Sequence, residues 1–206
     1  MTEHRSAWMD DELEMFRDAA RRFVENEIVP NDPRWREQHH VDRDLWNKAG
    51  EVGLLCTDIP DQYGGVGGDA RHEAVVVEEM GRRGITSFGH MVHSILAHYV
   101  LNYGSEAQKL DWLPRMASGE LVGAIAMTEP GAGSDLQAVK CRAVREGDEY
   151  VLNGAKTFIS NGLHAGLVGV VAKTDPGKGS KGISIIMVET KDLAGYRVGR
   201  VLDKIG

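Results

Sequence analysis

The hydrophobic pattern of this chain changes period near Glu120, and that change limits its possible folds more than any other feature. Before it, apolar residues recur at helical spacing: Leu13, Phe16, Ala20, Phe23, Val24 and Ile28 share one helix face. Asp11 followed by Glu14 resembles a capping box, and Pro30, Asn31, Asp32 and Pro33 break the pattern. Further helices are predicted over about Asp42–Val52, Arg71–Arg83 and Ser87–Tyr103, the last apolar on most sides and so buried in a bundle. Ser105 with Gln108 forms another capping box, opening a helix that Pro114 and Gly119 bring to an end.

After Glu120 the pattern reads as strands. Leu121–Met127 is a continuous apolar run, and Ala138–Arg145 and Glu149–Ser160 flank a Glu146-Gly147-Asp148 turn. Leu167–Ala172 and Ile183–Val188 flank the loop Lys173–Gly182, and Tyr196–Val201 reads as a sixth strand. No helix-length pattern separates these strands, which predicts mostly antiparallel pairing. The expected class is α+β: an N-terminal α-helical bundle over 1–120, then a mostly antiparallel, barrel-like β domain over 121–206.

Composition excludes several function classes. A net charge of −7 with scattered lysines and arginines speaks against a nucleic-acid binder, which needs a basic face. Two cysteines, Cys56 and Cys141, are too few for a disulfide framework and suit a reducing compartment. The N-terminus lacks a basic segment followed by an apolar run, and no stretch approaches the ~18 apolar residues of a membrane span. The expectation is a soluble, cytoplasmic protein.

Some motifs carry little. Gly177-Lys178-Gly179-Ser180-Lys181-Gly182 matches a dinucleotide pattern but precedes a strand, so the helix dipole that would hold a pyrophosphate is missing; a hairpin loop is expected. Gly64–Gly68 has no following Lys-Ser or Lys-Thr and reads as a connecting loop. His90, His93 and His98 share one predicted helix without acidic or cysteine partners at ligand offsets, and read as structural histidines; no metal site is expected. No G-x-S-x-G occurs, so a serine hydrolase is not indicated.

Two segments carry more. In the first, an apolar strand delivers Ile125, Ala126, Met127 and Thr128, then turns through Glu129, Pro130, Gly131, Ala132 and Gly133 to Ser134 and Asp135. The strand end offers a fixed backbone edge and a hydroxyl, and the glycines let the backbone approach a bulky anion. That suits a ligand with a flat polar ring and a pyrophosphate, although a strand followed by a tight turn explains the same residues. In the second, Lys156-Thr157-Phe158-Ile159-Ser160-Asn161-Gly162 closes a long strand with an aromatic ring and hydroxyls. Such a pair could cover a flavin face and donate to its N5, though an inward-facing Phe158 at a strand end is the plainer reading.

Together these segments resemble the acyl-CoA dehydrogenase family. Ala126–Asp135 fits its signature throughout, and the spacing to Phe158-Ile159-Ser160 fits as well. Tyr103–Lys109, Trp112-Leu113-Pro114 and Ser118–Leu121 precede the signature in the family's order, and Asp58-Ile59-Pro60 with Tyr63-Gly64-Gly65 resembles its early loop. Many members have Trp and Thr where this chain has Phe158 and Ser160; the aromatic and the hydroxyl are kept.

The resemblance implies a flavoprotein of fatty acid metabolism and β-oxidation. Ile125–Ser134 would line FAD, with Thr128 bonding the flavin ring and Ser134 contacting both FAD phosphate and acyl-CoA. Phe158, Ile159 and Ser160 would flank the isoalloxazine, Ser160 near N5. The implied reaction is α,β-desaturation of acyl-CoA, with electrons passed to electron-transfer flavoprotein, in a homotetramer. The family's catalytic glutamate lies in a C-terminal helical domain, so it is expected beyond residue 206 and the chain is read as an N-terminal fragment without it; Glu129 belongs to the signature. An acyl-CoA oxidase, a flavin monooxygenase of the same fold, and a non-catalytic remnant that binds FAD or acyl-CoA remain alternatives.

Overall fold

The computed structural model describes residues 6–204. It divides into two compact units, Met1–Leu121 with Val201–Gly206, and Val122–Arg200. The first unit carries helices α1 (Asp11–Phe23), α2 (Asp32–Gln38), α3 (Asp44–Glu51), α4 (Ala70–Arg82), α5 (His90–Tyr103) and α6 (Glu106–Ala117). Helix α1 starts where Asp10, one residue before the expected cap, accepts from the Leu13 N–H at 2.9 Å. A wider turn over Val24–Ile28 then prolongs it. The Pro30–Pro33 break is real but short. Pro33 falls in the first turn of α2, where its missing N–H costs nothing, so a short helix follows where the sequence pattern predicts only a break.

Both halves of the capping box at α6 are present: Gln108 N–H donates to Ser105 Oγ, and the Gln108 side chain accepts from Ser105 N–H. Pro114 does not end α6, which runs through it to Ala117. The stop comes at Gly119, whose φ is +76°. A Cβ there would lie 2.1 Å from the Trp46 carbonyl oxygen, so close passage of backbone on backbone fixes glycine at this corner.

The core of this unit is built on Leu13, Ile28, Trp46, Leu96, Leu113 and Met116, each almost fully buried. It also contains charge that the scattered sequence pattern does not announce. Arg17 and Glu79 are both about 3% exposed, and Arg17 reaches Glu78 at 3.1 Å while Arg21 reaches Glu79 at 3.0 Å, joining α1 to α4. The three histidines on α5 are held by protein. His93 Nε2 donates to the Met116 carbonyl at 3.0 Å, His98 Nε2 lies 2.9 Å from Asp58, and His90 Nε2 lies 3.4 Å from Glu73. Among the described residues no group of His, Cys, Asp and Glu could hold a metal, and no helix is long and apolar enough to cross a membrane.

The second unit is a five-stranded sheet of β1 (Gly123–Ala126), β2 (Arg142–Glu146), β3 (Glu149–Asn153), β4 (Leu167–Lys173) and β5 (Ile183–Glu189). Strand β4 is central: its unbroken apolar run is buried on both faces. It pairs antiparallel with β5 across the 176–182 loop, which is a connection between paired strands, as expected. Strands β2 and β3 form the predicted hairpin, with Gly147 at φ +64° in its tight turn.

Antiparallel pairing carries most of the register, but the sheet is mixed. β1 pairs parallel with β4, Gly123 opposite Leu167 through Ala126 opposite Val170, and β2 meets the end of β4 in parallel. A parallel pair needs a long crossover; here the β2–β3 hairpin supplies it where a helix usually would, so the absence of a helical pattern was no guide. Two strands end earlier than expected, β1 at Ala126 and β3 at Asn153, and Tyr196–Val201 forms no strand.

The ionisable groups of α4 and α5 make the helical unit sensitive to pH in opposite directions. Burial, reinforced by the Asp58 charge, raises the Glu73 carboxyl to about 7, and burial lowers His90 and His93 to about 4. The histidines contribute stability that is present above their ordinary value of 6.5 and lost as pH falls toward 4. The contribution of Glu73 is present below 4.5 and lost as pH rises through 7. Glu73→Gln removes the opposing slope, so its melting temperature should rise more steeply than wild type between pH 4.5 and 6.5. Thermal melts followed by circular dichroism check this; equal slopes would show that Glu73 does not titrate in that window.

Candidate functional site

The two segments singled out in the sequence meet at the end of β1. Past Ala126 the chain leaves the ladder, and the Thr157 N–H donates to the Thr128 carbonyl at 2.9 Å. The turn that follows is closed by reciprocal bonds between Glu129 and Ala132, at 2.9 and 3.1 Å, with Pro130 and Gly131 at its tip. Beyond it, Asp135 Oδ1 accepts from the Gln137 N–H at 3.1 Å and caps the short turn Leu136–Ala138. On the other segment, Asn161 takes φ +63° and its side-chain amide donates to the Gly123 carbonyl at 3.0 Å, tying the Phe158–Gly162 turn back to the start of β1.

Exposure sorts the predicted site residues into three groups. Pro130, Gly131, Gly133, Ser134, Phe158 and Ser160 are exposed, and Ile125, Met127, Thr128 and Ile159 are half-buried. Ala126, Glu129 and Ala132 are buried, so they support the edge from within. Ile159 packs on the cluster of Ala124, Ala126, Ala165 and Val168, and so anchors the second segment to the sheet. A Cβ built on Gly131 or Gly133 meets nothing within 4 Å. Neither glycine is therefore demanded by packing inside this chain, and both leave backbone open to an approaching group.

Phe158 combines 61% exposure with a φ of +56°. A bulky residue in the left-handed region is strained by about 1–3 kcal/mol, and such outliers gather where a side chain is presented for a purpose. The plainer sequence reading, an inward-facing Phe158 filling the core, does not hold.

The carboxylate of Glu129, a residue of the expected cofactor edge, turns into the protein. Oε1 lies 2.8 Å from Lys156 Nζ and 2.9 Å from the Cys141 N–H, and Oε2 accepts from the Lys140 N–H at 2.6 Å. Lys156 Nζ also donates to the Met127 carbonyl at 2.9 Å. Burial opposes ionisation of Glu129, yet the Lys156 ammonium and the two peptide donors outweigh it and hold the carboxyl below its ordinary value. A carboxylate so engaged is a poor proton acceptor, which supports reading Glu129 as structural. Lys156 and Asn161 stand in the second segment, but the sequence assigned neither a role. Their partners, Glu129 and the Gly123 carbonyl, lie far along the chain, and no signal beyond the motif itself pointed to them.

Glu129→Ala would leave the Lys156 ammonium buried without its anion and two N–H groups unsatisfied. The β unit should lose about 3–5 kcal/mol near neutral pH, read by chemical denaturation. Because the folded-state value of Glu129 is depressed, its contribution is present above the ordinary 4.5 and lost as pH falls through the lower folded value. The gap between wild type and variant should therefore narrow in acid; a gap constant down to strong acid would remove the ion pair from the account.

Comparison with known proteins agrees with the fold and the motifs. Residues 10–120 match the family model for the acyl-CoA dehydrogenase N-terminal domain, and residues 124–206 that for the middle domain. The mitochondrial long-chain specific acyl-CoA dehydrogenase of Sus scrofa is 44% identical over 198 residues, covering 95% of this chain and 46% of that protein. The crystal structure of an acyl-CoA dehydrogenase from Geobacillus kaustophilus superposes with a TM-score of 0.93 at 42% identity, over 98% of this chain and 54% of its own. A glutaryl-CoA dehydrogenase from Mycobacterium smegmatis, solved in complex with FADH2, gives 0.84 at 32% identity, over 96% and 50%. The chain spans about half the length of the curated relatives it matches. With both family models matched in order and the signature at the junction of two bonded segments, the chain belongs to the acyl-CoA dehydrogenase family.

Proposed function

We propose that this chain holds FAD on the edge made by Met127–Ser134 and Phe158–Ser160, and that the protein oxidises acyl-CoA thioesters to their α,β-unsaturated forms, with electron-transfer flavoprotein as the acceptor. The observation that carries the FAD assignment is the bond from Thr157 N–H to the Thr128 carbonyl, which joins an exposed glycine turn and a strained, exposed aromatic into one surface. FAD, when bound, supplies a ring that accepts a hydride equivalent. The chain's own part is to bind and orient. Thr128 offers a hydroxyl and a fixed backbone to the polar edge of the ring, and Phe158 a flat face. Gly131 and Gly133 let the backbone approach an anionic group, and Ser134 adds a hydroxyl donor for a phosphate oxygen or for the CoA thioester substrate. Ser160 places a second hydroxyl where it could stabilise charge that builds on the reduced ring. The base that removes the α-proton is assigned to no residue of this chain, since Glu129 is committed to Lys156.

The purified chain should carry a visible flavin band after incubation with FAD, and a chain that stays colourless would overturn the binding assignment. Desaturation is read on the protein with its base in place: its flavin band should bleach when an acyl-CoA is added without oxygen, and a band that no acyl-CoA bleaches would overturn that reaction. Phe158→Gly tests the presented ring separately. Glycine tolerates the left-handed backbone, so stability should stay within about 1 kcal/mol of wild type while FAD affinity falls. Equal FAD affinity in this variant would show that the ring does not cover the flavin.

A further inference from the structure

The two peptide planes that flank Thr128 are each held by consecutive residues of the second segment. The Met127 carbonyl, in the plane before Thr128, accepts from Lys156 Nζ at 2.9 Å. The Thr128 carbonyl, in the plane after it, accepts from the Thr157 N–H at 2.9 Å. In a planar trans peptide the N–H points opposite to the C=O. Fixing the Met127 carbonyl toward Lys156 therefore aims the Thr128 N–H away from it, and the backbone of Thr128 is set from both sides. Glu129 sets Lys156 in turn, and its carboxylate also fastens the Lys140 and Cys141 N–H groups.

This arrangement is not explained by stability alone. The side chains of Lys156 and Glu129 are 10% and 6% exposed. At that burial, desolvation of two charges offsets most of their attraction, and an apolar pair of the same size would hold the fold about as well. What an apolar pair cannot do is hold a carbonyl in one direction. We propose that Lys156 and Glu129 are positioning residues for the flavin: through the Met127 carbonyl they set the direction of the Thr128 N–H, and neither side chain touches the cofactor. The proposal rests on the FAD reading given above.

The test compares the intact chain with Lys156→Met, the double variant Glu129→Gln with Lys156→Met, and Lys156→Arg. Each is titrated with FAD, followed by flavin fluorescence and by the shape of the visible band, and each is melted. Lys156→Met alone strands a buried carboxylate and should melt well below wild type. The double variant removes both charges but leaves one of the Lys140 and Cys141 N–H groups and the Met127 carbonyl without their partners, so it should melt above Lys156→Met and somewhat below wild type, yet bind FAD roughly tenfold to a hundredfold more weakly, with a band like that of free flavin. Lys156→Arg keeps the charge but presents a planar fork instead of a compact ammonium, so it should melt near wild type and bind several-fold more weakly. A double variant that binds as tightly as wild type, with the same band, would reduce the pair to a fold-holding role. Should the double variant fail to fold, an Arg variant unchanged in affinity and band shape would overturn the proposal equally. Wild-type chain that binds no FAD would instead overturn the FAD reading, and this proposal with it.

Discussion

A carboxylate facing inward at the end of β1 organises the β unit. Glu129 stands in a turn too short to satisfy its surroundings by backbone bonds alone, and two separate stretches meet at its two oxygens, one through Lys140 and Cys141 and the other through Lys156. The exposed tip of the turn, Pro130 to Gly131, stands on a base closed by two hydrogen bonds. The strained Phe158 can persist because the residues on either side are committed: Thr157 to the Thr128 carbonyl, and Ile159 to the small-residue cluster on β1 and β4. An edge offered to a ligand needs this kind of support, since a loop held only by its own bonds would lose its geometry to conformational entropy.

The helical unit uses buried charge differently. Arg17 and Glu79 lie inside the contact between α1 and α4, and each has more than one partner, with Glu78 and Arg21 completing the set. The charges are thus shared, which keeps either from standing alone in a low-dielectric site. Glu73 and His90 meet at a longer distance, and burial pushes both toward their neutral forms. Polar groups inside a helical bundle here serve register between helices, while those in the β unit serve the direction of a backbone edge.

Much of this was legible in the chain. The caps at Ser105 and Gln108, the Gly147 hairpin and the continuous apolar run of β4 are each written in a few adjacent residues, because each is enforced by local hydrogen bonding or side-chain periodicity. Pro114 and Pro33 show why proline alone does not fix a helix boundary. A proline forbids one backbone bond: Pro33 loses nothing by it in the first turn of α2, and α6 runs on through Pro114. Tyr196–Val201 has strand-like composition yet forms no strand among the described residues, since pairing is a property of two segments and not of one.

The sequence by itself determined the two-part character of the chain, the existence of most of its elements, and the family, because these rest on period, caps and a run of motif residues. Tertiary structure alone decided that β1 and β4 run parallel, that Phe158 faces outward, and that the Glu129 carboxylate faces inward. The last outcome depends on residues brought together from 11, 27 and 29 positions apart along the chain, Glu129 with Lys140 and Lys156, and Lys156 with Met127, and the first on the pairing of Gly123–Ala126 with Leu167–Val170. No local pattern encodes such meetings, and the direction in which a side chain turns at the end of a strand is settled by which partner the fold delivers there.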